Sequence, residues 1–273
     1  MFKYIKNQFY NYIYMPEGPE VNINAAFLKS KFKNKNFTKI ISNTKSIREL
    51  PNVSKVVDVF SKGKFIVIQT KDYYVYVHFG ITGWFTQEKP KIYKYILQFE
   101  NSKIYLQDRR RFSSIKIMSE KEHTDFSKLF GVDILTDKFT LEYFSKIMKS
   151  KNKNICSLLL DQKYFAGLGN YIKNDALYLS RISPNRKSNS LSDKEIKLLY
   201  HNILFVTFSN VVEWYKDYKL KLPKNLKILI PDKINVPYNF YVFDREYDDY
   251  GNKITFIKNL CGRRTFYVEK LQK

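Results

Sequence analysis

Cysteine and histidine are both scarce in this chain. Only two cysteines and three histidines occur among 273 residues, and no two cysteines are separated by just two residues. A structural zinc site with four ligands would have to gather scattered residues, which argues against such a site. The two cysteines, Cys156 and Cys261, also provide no disulfide framework, which favours a reducing compartment.

Long apolar stretches are missing as well. No run of apolar residues is long enough to span a bilayer. Residues 1–14 lack the apolar core and the small-residue cleavage site of a signal peptide. We therefore expect an intracellular protein with no membrane partner. The sequence does not separate cytoplasm from nucleus, and a viral origin is compatible with it.

Acidic residues are few compared with basic ones. The chain has 26 Asp and Glu against 48 Lys and Arg, a formal charge of +22. The basic residues are spread along the chain, which favours a folded surface that binds nucleic acid. AT-rich coding, which favours Lys, Asn, Ile, Tyr and Phe, is an alternative source of part of the charge. Aromatic residues make up 17% of the chain, so a folded protein is expected.

Strand-like patterns dominate residues 37–118. Aromatic and β-branched residues are concentrated in 65–69 and 73–77, with a turn predicted at 71–72. Further strands are expected at 95–99, 103–106 and 115–118. Together these patterns indicate an antiparallel sandwich or a barrel-like domain preceded by a helix.

From about residue 137 the spacing of apolar residues becomes helical. Helices are predicted around 141–148, 155–159 and 172–179. Ser192 and Glu195 have the spacing of a capping box, which predicts the start of a longer helix.

The last part of the chain is rich in prolines and turn residues. Prolines mark 219–238 as a connecting stretch without regular structure. We expect a final hairpin in which 240–243 pairs with 254–257 around a turn at 248–252.

The segment Met15–Val21 reads Met-Pro-Glu-Gly-Pro-Glu-Val. One interpretation is a helix start, with proline at an early position and glutamate in the first turn. The other is chemical. If Met15 were an initiator methionine that is removed, Pro16 would carry a free secondary amine able to form an iminium with an electrophilic carbon. Glu17 would then stand beside it as a group for proton transfer.

Three further motifs in the strand-rich region have both a chemical and a structural interpretation. Lys64 follows a glycine at a strand entry, where it could meet a phosphate or lie in a solvated turn. The glycines of 78–84 predict a sharp loop that exposes Ile81, a possible wedge between base steps, whereas His78 alone is more often structural. Three arginines before Phe112 suit phosphate contact and stacking, or a charged edge strand.

Two motifs in the C-terminal half suit contact with anions. Gly167–Asn170 predicts a turn and the N-terminus of a helix, whose free amides attract anions and to which Asn170 adds a side-chain donor. Gly262-Arg263-Arg264-Thr265 is followed by aromatic residues, so Arg263 would lie on a hairpin next to a DNA phosphate. Each motif is a weak signal when it stands alone.

Taken together and in this order, the motifs resemble the formamidopyrimidine-DNA glycosylase / endonuclease VIII family of oxidised-base repair enzymes. Its most specific elements are Met15–Val21, Asp161-Gln162 with Gly167–Asn170, and Gly262-Arg263-x-Thr265. The resemblance implies an α+β fold: an N-terminal antiparallel β-sandwich with a leading helix, a helix–two-turns–helix bundle, and a C-terminal β-hairpin finger. The corresponding boundaries are 1–14 for an N-terminal extension, 15–135 for the β-sandwich catalytic domain, 136–225 for the helix–two-turns–helix DNA-binding domain, and 226–273 for the linker and finger.

The same resemblance implies the activity. It predicts a bifunctional DNA glycosylase and abasic-site lyase of base excision repair, which acts through a Schiff base on an N-terminal proline, followed by β,δ-elimination. No cofactor is implied. The implied partner is double-stranded DNA that contains oxidised bases or abasic sites, and the protein is expected to be a monomer.

Site residues carry over from the family motifs position by position. Pro16 corresponds to the nucleophile, Glu17 to the proton donor, and Lys64 to the lysine that assists β-elimination. The residues at the positions that fill the space left by the flipped nucleotide are Ile81, Arg110 and Phe112. Asn170 and Arg263 correspond to the residues that bind the phosphates on either side of the lesion. In the family, that arginine also takes part in δ-elimination.

Residues 1–14 raise an alternative to the enzyme. A proline inside a chain has an amide nitrogen without a basic lone pair, so it forms no Schiff base. Either Met15 is the start, or processing exposes Pro16, or the chain is a catalytically silent protein that binds damaged DNA. An RNA-binding or ribosome-associated protein would account only for the charge.

The finger departs most from the family pattern. Members with zinc carry four cysteines there, and the corresponding residues here are Tyr250, Lys253, Val268 and Leu271, with Cys261 outside the pattern. The expected finger is therefore of the zincless type. Smaller departures are Ile81 for methionine, Ser113 for glycine and Asp175 for glutamate.

The first prediction concerns this finger. Elemental analysis of the purified protein should find no stoichiometric zinc, because the corresponding residues cannot supply four ligands. A chelator should then leave the melting temperature unchanged. One zinc atom per chain would contradict the zincless assignment.

Overall fold

A computed structural model describes residues 16–43, 47, 48 and 50–273. The predicted extension, 1–14, and Met15 lie outside the described residues. The chain divides into two compact units, one that contains residues 20–128 and Pro16, and one formed by 17–19 with 129–273. No helix in the described part of the chain has the length and apolar character needed to cross a membrane.

The first unit is built on helix α1 (Gly18–Phe32), which extends into it from residue 20, and an antiparallel sheet. The strands are β1 (Asn36–Ser42), β2 (Ile47–Arg48), β3 (Ser54–Lys62), β4 (Phe65–Thr70), β5 (Tyr74–His78), β6 (Trp84–Thr86), β7 (Tyr95–Phe99), β8 (Ser102–Gln107) and β9 (Ser114–Met118). Their order is β6-β8-β7-β1-β3-β4-β5-β9, with β2 paired to β1. A short helix, α2 (Glu120–Ser127), follows the sheet.

A narrow contact joins the two halves of the sheet. Strands β1 and β3 pair only where Asn36 and Phe37 meet Lys55 and Ser54. Buried side chains from both halves and from α1 belong to one hydrophobic core. The sheet thus has the two-layered character predicted for a sandwich, and the predicted turn at 71–72 separates β4 from β5 as expected.

Helix α1 packs on this core through a regularly spaced apolar stripe. Its residues Val21, Ala25, Leu28 and Phe32 recur at helical spacing and are all buried. The ring of Phe32 stacks on that of Phe99 with centroids 4.1 Å apart. The helix-start interpretation of the Met15–Val21 segment is therefore confirmed for its described residues.

The second unit is mainly helical. It contains α3 (Leu141–Ser150), α4 (Ile155–Leu160), α5 (Asn170–Leu179), α6 (Asp193–Asp217) and α7 (Lys224–Lys227), a short 3₁₀ helix (Ser188–Ser190), and the parallel strand pair β10 (Val132–Asp133) and β11 (Phe165–Ala166). The predicted capping box is present: the Ser192 hydroxyl accepts from Glu195 N–H, and the Glu195 carboxylate accepts from Ser192 N–H. The stretch 219–238 is less irregular than predicted, because α7 lies within it.

The predicted final hairpin is wrong in its pairing. Strand β12 (Thr255–Leu260) pairs with β13 (Arg263–Tyr267), and 240–243 forms no strand. Cys261 and Gly262 form the two-residue turn between these strands, with φ values of 56° and 71°. Positive φ at both turn positions is typical of a type I′ hairpin, which matches the twist of the strands. The C-terminal β-hairpin implied by the family resemblance is present, but it lies further along the chain.

A buried carboxylate explains why 240–243 is not a strand. Backbone N–H groups of Tyr241, Val242 and Phe243 donate to the Asp175 carboxylate at 3.0, 3.0 and 3.2 Å. The Tyr238 hydroxyl donates to the same carboxylate. Burial raises the pKa of Asp175, whereas the Tyr238 hydroxyl and the backbone donors act in the opposite direction. Donors that bind a carboxylate are no longer available to a β-ladder.

The second prediction tests this anchor. Asp175→Ala should lower the free energy of unfolding by about 3 kcal/mol or more, because it leaves one hydroxyl and three backbone donors without their acceptor. Tyr238→Phe removes a single bond and should cost about 1 kcal/mol. Urea unfolding measures both changes. Equal small losses in the two variants would contradict the role of Asp175 as the shared acceptor.

Candidate functional site

Glu17 lies at the N-terminus of helix α5. Its side chain is buried, and its carboxylate accepts N–H bonds from Tyr171 at 2.9 Å and from Ile172 at 3.4 Å. The first amides of a helix have no acceptor within the helix, and the helix dipole favours negative charge at this end. Tyr171 follows Glu17 by 154 residues in sequence, so the fold brings two distant motifs into one site.

Two glycines allow this close approach. A Cβ atom on Gly169 would lie 2.2 Å from Cδ of Glu17, so any larger residue would displace the carboxylate. Gly18 N–H donates to the Gly167 carbonyl at 2.9 Å. The helix terminus binds an anion, as its free amides predict, and this anion is the Glu17 carboxylate of the same chain.

Asn170 connects helix α5 to the C-terminal hairpin. Its Nδ2 donates to the Arg264 carbonyl at 3.0 Å. Its Oδ1 is buried and has no hydrogen-bond partner among the described residues. Arg263, the preceding residue of the hairpin, is exposed. Asn170 is thus bonded to the residue next to Arg263.

Three further predicted residues share one edge of the sheet in the first unit. Phe65 at the start of β4 pairs with His78 at the end of β5, and His78 pairs with Ser114 at the start of β9. Lys64 directly precedes β4, the loop with Ile81 follows β5, and Phe112 precedes β9. Strand register therefore places these three positions at the same edge.

The Lys64 turn is tied to helix α1. Gly63 and Lys64 form the two-residue connection between β3 and β4, and Gly63 has a φ of 56°, which favours glycine. Close by, Asn22 Nδ2 donates to Ser61 Oγ at 2.9 Å. Because Asn22 lies early in α1, this bond places the start of the helix near the turn that carries Lys64.

His78 has a structural role at this edge. Its Nδ1 accepts the Gly80 N–H at 3.1 Å, so this nitrogen is unprotonated. Burial lowers the pKa of His78, and the charge of Lys64 lowers it further. A neutral histidine thus fixes the first turn of the loop that carries Ile81, in agreement with the structural interpretation.

Asp108 joins two loops, one that carries Ile81 and one that carries Arg110 and Phe112. These three residues, which the family resemblance assigns to the space left by the flipped nucleotide, are called the wedge positions. The Asp108 carboxylate is fully buried and accepts from Thr82 Oγ1 at 2.6 Å, Arg110 N–H at 3.2 Å and Ser113 N–H at 2.7 Å. Lys94 directly precedes β7, and its ammonium group donates to the Ser113 carbonyl. Sequence reasoning assigned no role to Asp108, Thr82 or Lys94. A single acidic residue before three arginines was the one available signal.

Two of the three side chains at the wedge positions, Arg110 and Phe112, are exposed. Phe112 is 54% exposed, and the guanidinium of Arg110 lies 5.0 Å from the centroid of its ring. A Cβ atom on Gly80 would lie 2.6 Å from the Phe112 backbone, so glycine allows the two loops to touch. Ile81 itself is half-buried, so it is less exposed than the glycine spacing of the loop predicts.

Among the residues that the structure describes, no group of three or more His, Cys, Asp and Glu side chains could hold a metal ion. Tyr250, Lys253, Val268 and Leu271, at the places of the family's zinc ligands, do not fit zinc, because they offer neither thiolate nor imidazole. The zinc content of the protein stays a prediction.

Comparison with protein families agrees with the geometry. Residues 15–115 match the formamidopyrimidine-DNA glycosylase N-terminal domain, and residues 130–214 match the formamidopyrimidine-DNA glycosylase H2TH domain. A formamidopyrimidine-DNA glycosylase of Wolbachia pipientis wMel is 32% identical over 200 residues, which span 68% of this chain and 74% of the relative. The chain belongs to the formamidopyrimidine-DNA glycosylase family. The family resemblance inferred from the order of the motifs is confirmed.

Solved structures show the same fold. The MutM (Fpg) protein of Thermus thermophilus has a TM-score of 0.77 at 23% identity, over 94% of this chain and 98% of that one. A Lactococcus lactis formamidopyrimidine-DNA glycosylase, solved non-covalently bound to DNA with an abasic site, has a TM-score of 0.75 at 19% identity, over 94% and 99%. At these identities the likeness shows the fold alone, which is the predicted α+β fold.

The third prediction tests the fit between Glu17 and Gly169. Gly169→Ala should destabilise the protein by about 1–3 kcal/mol, because the added methyl group overlaps the carboxylate. In a Glu17→Ala background the same change should cost much less. A double-mutant cycle from urea unfolding measures this coupling. Equal costs in the two backgrounds would show that the overlap is not with Glu17.

Proposed function

We propose that this protein is a bifunctional DNA glycosylase and abasic-site lyase that excises oxidised bases in base excision repair. The observation that carries the proposal is the Glu17 carboxylate, buried at the N-terminus of α5 and bonded to two backbone amides. A carboxyl group held in a fixed position next to an amine nucleophile suits proton transfer during catalysis at a sugar.

Pro16 is the proposed nucleophile. Its nitrogen must be a free secondary amine, so we propose that the active chain starts at Met15 and loses this methionine. The match to the family's N-terminal domain, which begins at residue 15, supports this start. A terminal amine titrates near pH ~8, so part of the population is unprotonated at neutral pH. A lysine side chain, by contrast, is almost completely protonated at neutral pH.

The reaction begins when the damaged nucleotide leaves the base stack. The Pro16 nitrogen attacks the anomeric carbon of the sugar, and the base departs. The Glu17 carboxylate takes up the proton that the Pro16 nitrogen loses after its attack and donates it to the ring oxygen of the sugar. The ring opens, and an iminium links Pro16 to the carbon chain.

Strand cleavage follows from this iminium, which acidifies the adjacent C–H bond. Its proton is removed and the bond to the 3′ phosphate breaks, assisted by Lys64. A second elimination, assigned to Arg263, breaks the bond on the 5′ side. Lys64 is suited to its part because the turn that holds it is fixed to helix α1 by the Asn22–Ser61 bond.

Ile81, Arg110 and Phe112 are the proposed residues that fill the space left by the flipped nucleotide. Shared contacts through Asp108 and Thr82 fix the two loops that carry them. An exposed aromatic ring with a guanidinium over it presents a flat surface on which a base can stack. Rigid loops lower the entropic cost of holding DNA in a bent form.

Asn170 and Arg263 are the proposed phosphate contacts. Arg263 is exposed on the hairpin, and the Asn170–Arg264 bond holds the hairpin against α5. The formal charge of +22 supports double-stranded DNA as the partner. Among the structural neighbours, a MutM protein was solved with DNA that contains carbocyclic 8-oxo-G. We retain 15–135 as the catalytic domain and 136–225 as the DNA-binding domain.

The fourth prediction separates the chemical roles. Protein that begins at Pro16 should form a covalent adduct with abasic-site DNA under borohydride, because reduction fixes the iminium. Glu17→Gln, which keeps the shape of the side chain, should lower base excision by about 100-fold or more. Gel electrophoresis follows both reactions. Unchanged excision by the Glu17→Gln variant would reject the role assigned to Glu17.

The matched control is the chain that retains residues 1–15. Its Pro16 nitrogen is an amide, so the same DNA should bind without an adduct. If the native protein keeps this segment, as intact mass would show, the chain is instead a silent protein that binds damaged DNA. An adduct formed by the extended chain would contradict Pro16 as the nucleophile.

A further inference from the structure

The two cysteines of the chain are hydrogen-bonded neighbours, and Cys261 also contacts a buried lysine. Cys156 lies in α4 and is buried, and Cys261 lies in the β12–β13 turn and is partly exposed. Lys173 of α5 is fully buried, and its ammonium lies 2.7 Å from Thr265 Oγ1 and 3.8 Å from the Cys261 sulfur. None of Cys156, Lys173 and Cys261 has a role in the proposed glycosylase reaction.

A negative charge next to Lys173 would stabilise its buried ammonium group. A buried ammonium is costly unless it is paired and hydrogen-bonded. Thr265 offers a neutral hydroxyl, so the second contact, the Cys261 sulfur, is the group that can supply an anion. A thiolate at this position would neutralise the buried ammonium.

The two thiols have unequal acidities. A hydrogen bond with Cys156 and the charge of Lys173 lower the pKa of Cys261 to about 6. Burial raises the pKa of Cys156 well above its ordinary value. At neutral pH the pair therefore consists of one thiolate, which is partly exposed, and one protonated thiol beside it. Thiolates, not thiols, react with oxidants.

The type I′ turn requires a positive φ at Cys261, which is costly for a residue other than glycine or asparagine. The φ of Cys261, 56°, lies in this left-handed region. The turn places the sulfur over Lys173 despite this backbone cost. Residues held in sparsely populated conformations often belong to functional sites.

We propose that Cys261 and Cys156 form a peroxide-reactive thiol pair, in which Cys261 is the attacking thiolate and Cys156 is the resolving thiol. In the first step the Cys261 sulfur bonds to one peroxide oxygen, the O–O bond breaks, and hydroxide leaves. In the second step the Cys156 sulfur attacks the sulfenic acid, an S–S bond forms, and the thiol proton departs with the hydroxyl group as water. Overall, two thiols lose two electrons and hydrogen peroxide is reduced to two waters.

The disulfide would tie the hairpin turn to helix α4. In the reduced protein, the hairpin is joined to α5 by noncovalent contacts, which include hydrogen bonds from Asn170 and Lys173. A covalent bond from Cys261 would join the hairpin to a further helix.

The fifth prediction is the oxidation product. The full-length reduced protein, treated with hydrogen peroxide at pH 7, should lose two hydrogen atoms in mass and yield a linked Cys156–Cys261 peptide. Cys156→Ser should stop at a sulfenic acid on Cys261 that dimedone traps. Cys261→Ser should leave Cys156 reduced under the same exposure. Mass spectrometry of intact and digested protein measures all three.

Lys173→Met tests the ammonium with a side chain of similar length. Because the positive charge favours the thiolate, this variant should slow alkylation of Cys261 by iodoacetamide at pH 5, below the thiol's pKa of about 6, by about tenfold for a rise of one pKa unit. In the wild type, this rate should fall as the pH drops through about 6. Matching circular dichroism spectra show that the variants are folded.

Specific results would overturn the proposal. A wild-type product that stays a sulfenic acid, or a disulfide between two chains, would reject Cys156 as the resolving thiol. A product that links Cys261 to Lys173 through an added oxygen would reject it as well. Alkylation of Cys261 in the folded protein no faster than that of Cys156 would reject Cys261 as the attacking thiolate.

Discussion

The buried Glu17 carboxylate depends on helix α5 for its place in the fold. A carboxylate taken out of water needs hydrogen-bond donors, and the first amides of a helix are donors without an acceptor of their own. Tyr171 and Ile172 supply two such amides, and Gly169 supplies the space. The contact fixes Glu17, so the place of the proposed proton donor depends on a turn that is far away in sequence.

Two other buried carboxylates, those of Asp175 and Asp108, also accept bonds from backbone amides. Asp175 accepts three backbone amides and a hydroxyl and so fixes 238–243, and Asp108 accepts two amides and a hydroxyl between the proposed wedge loops. In a chain with nearly twice as many basic as acidic residues, several of the acidic ones are used internally. Their burial leaves the surface more basic than the composition alone indicates, which suits a polyanionic partner.

Local sequence patterns predicted elements well and long-range pairing poorly. The capping box at Ser192, the apolar stripe of α1 and the β4–β5 turn depend on neighbours a few residues apart, and all three are present. The final hairpin was placed wrongly because 240–243 has strand-like residues whose amides donate to Asp175 instead. The bond between Glu17 and the first amides of α5 was not predicted either, because the two groups are 154 residues apart in sequence.

The sequence by itself determined the family, the fold class and the positions of the motifs, because each depends on residue types at short, fixed spacings. Only the tertiary structure decided which partners these residues have. It placed Glu17 on α5, connected Asn170 to the hairpin, and brought Cys156 and Cys261 together around Lys173. The physical reason is that a buried polar group is satisfied by whichever donor or acceptor the packing brings within about 3 Å, and such proximity has no signature in a single sequence.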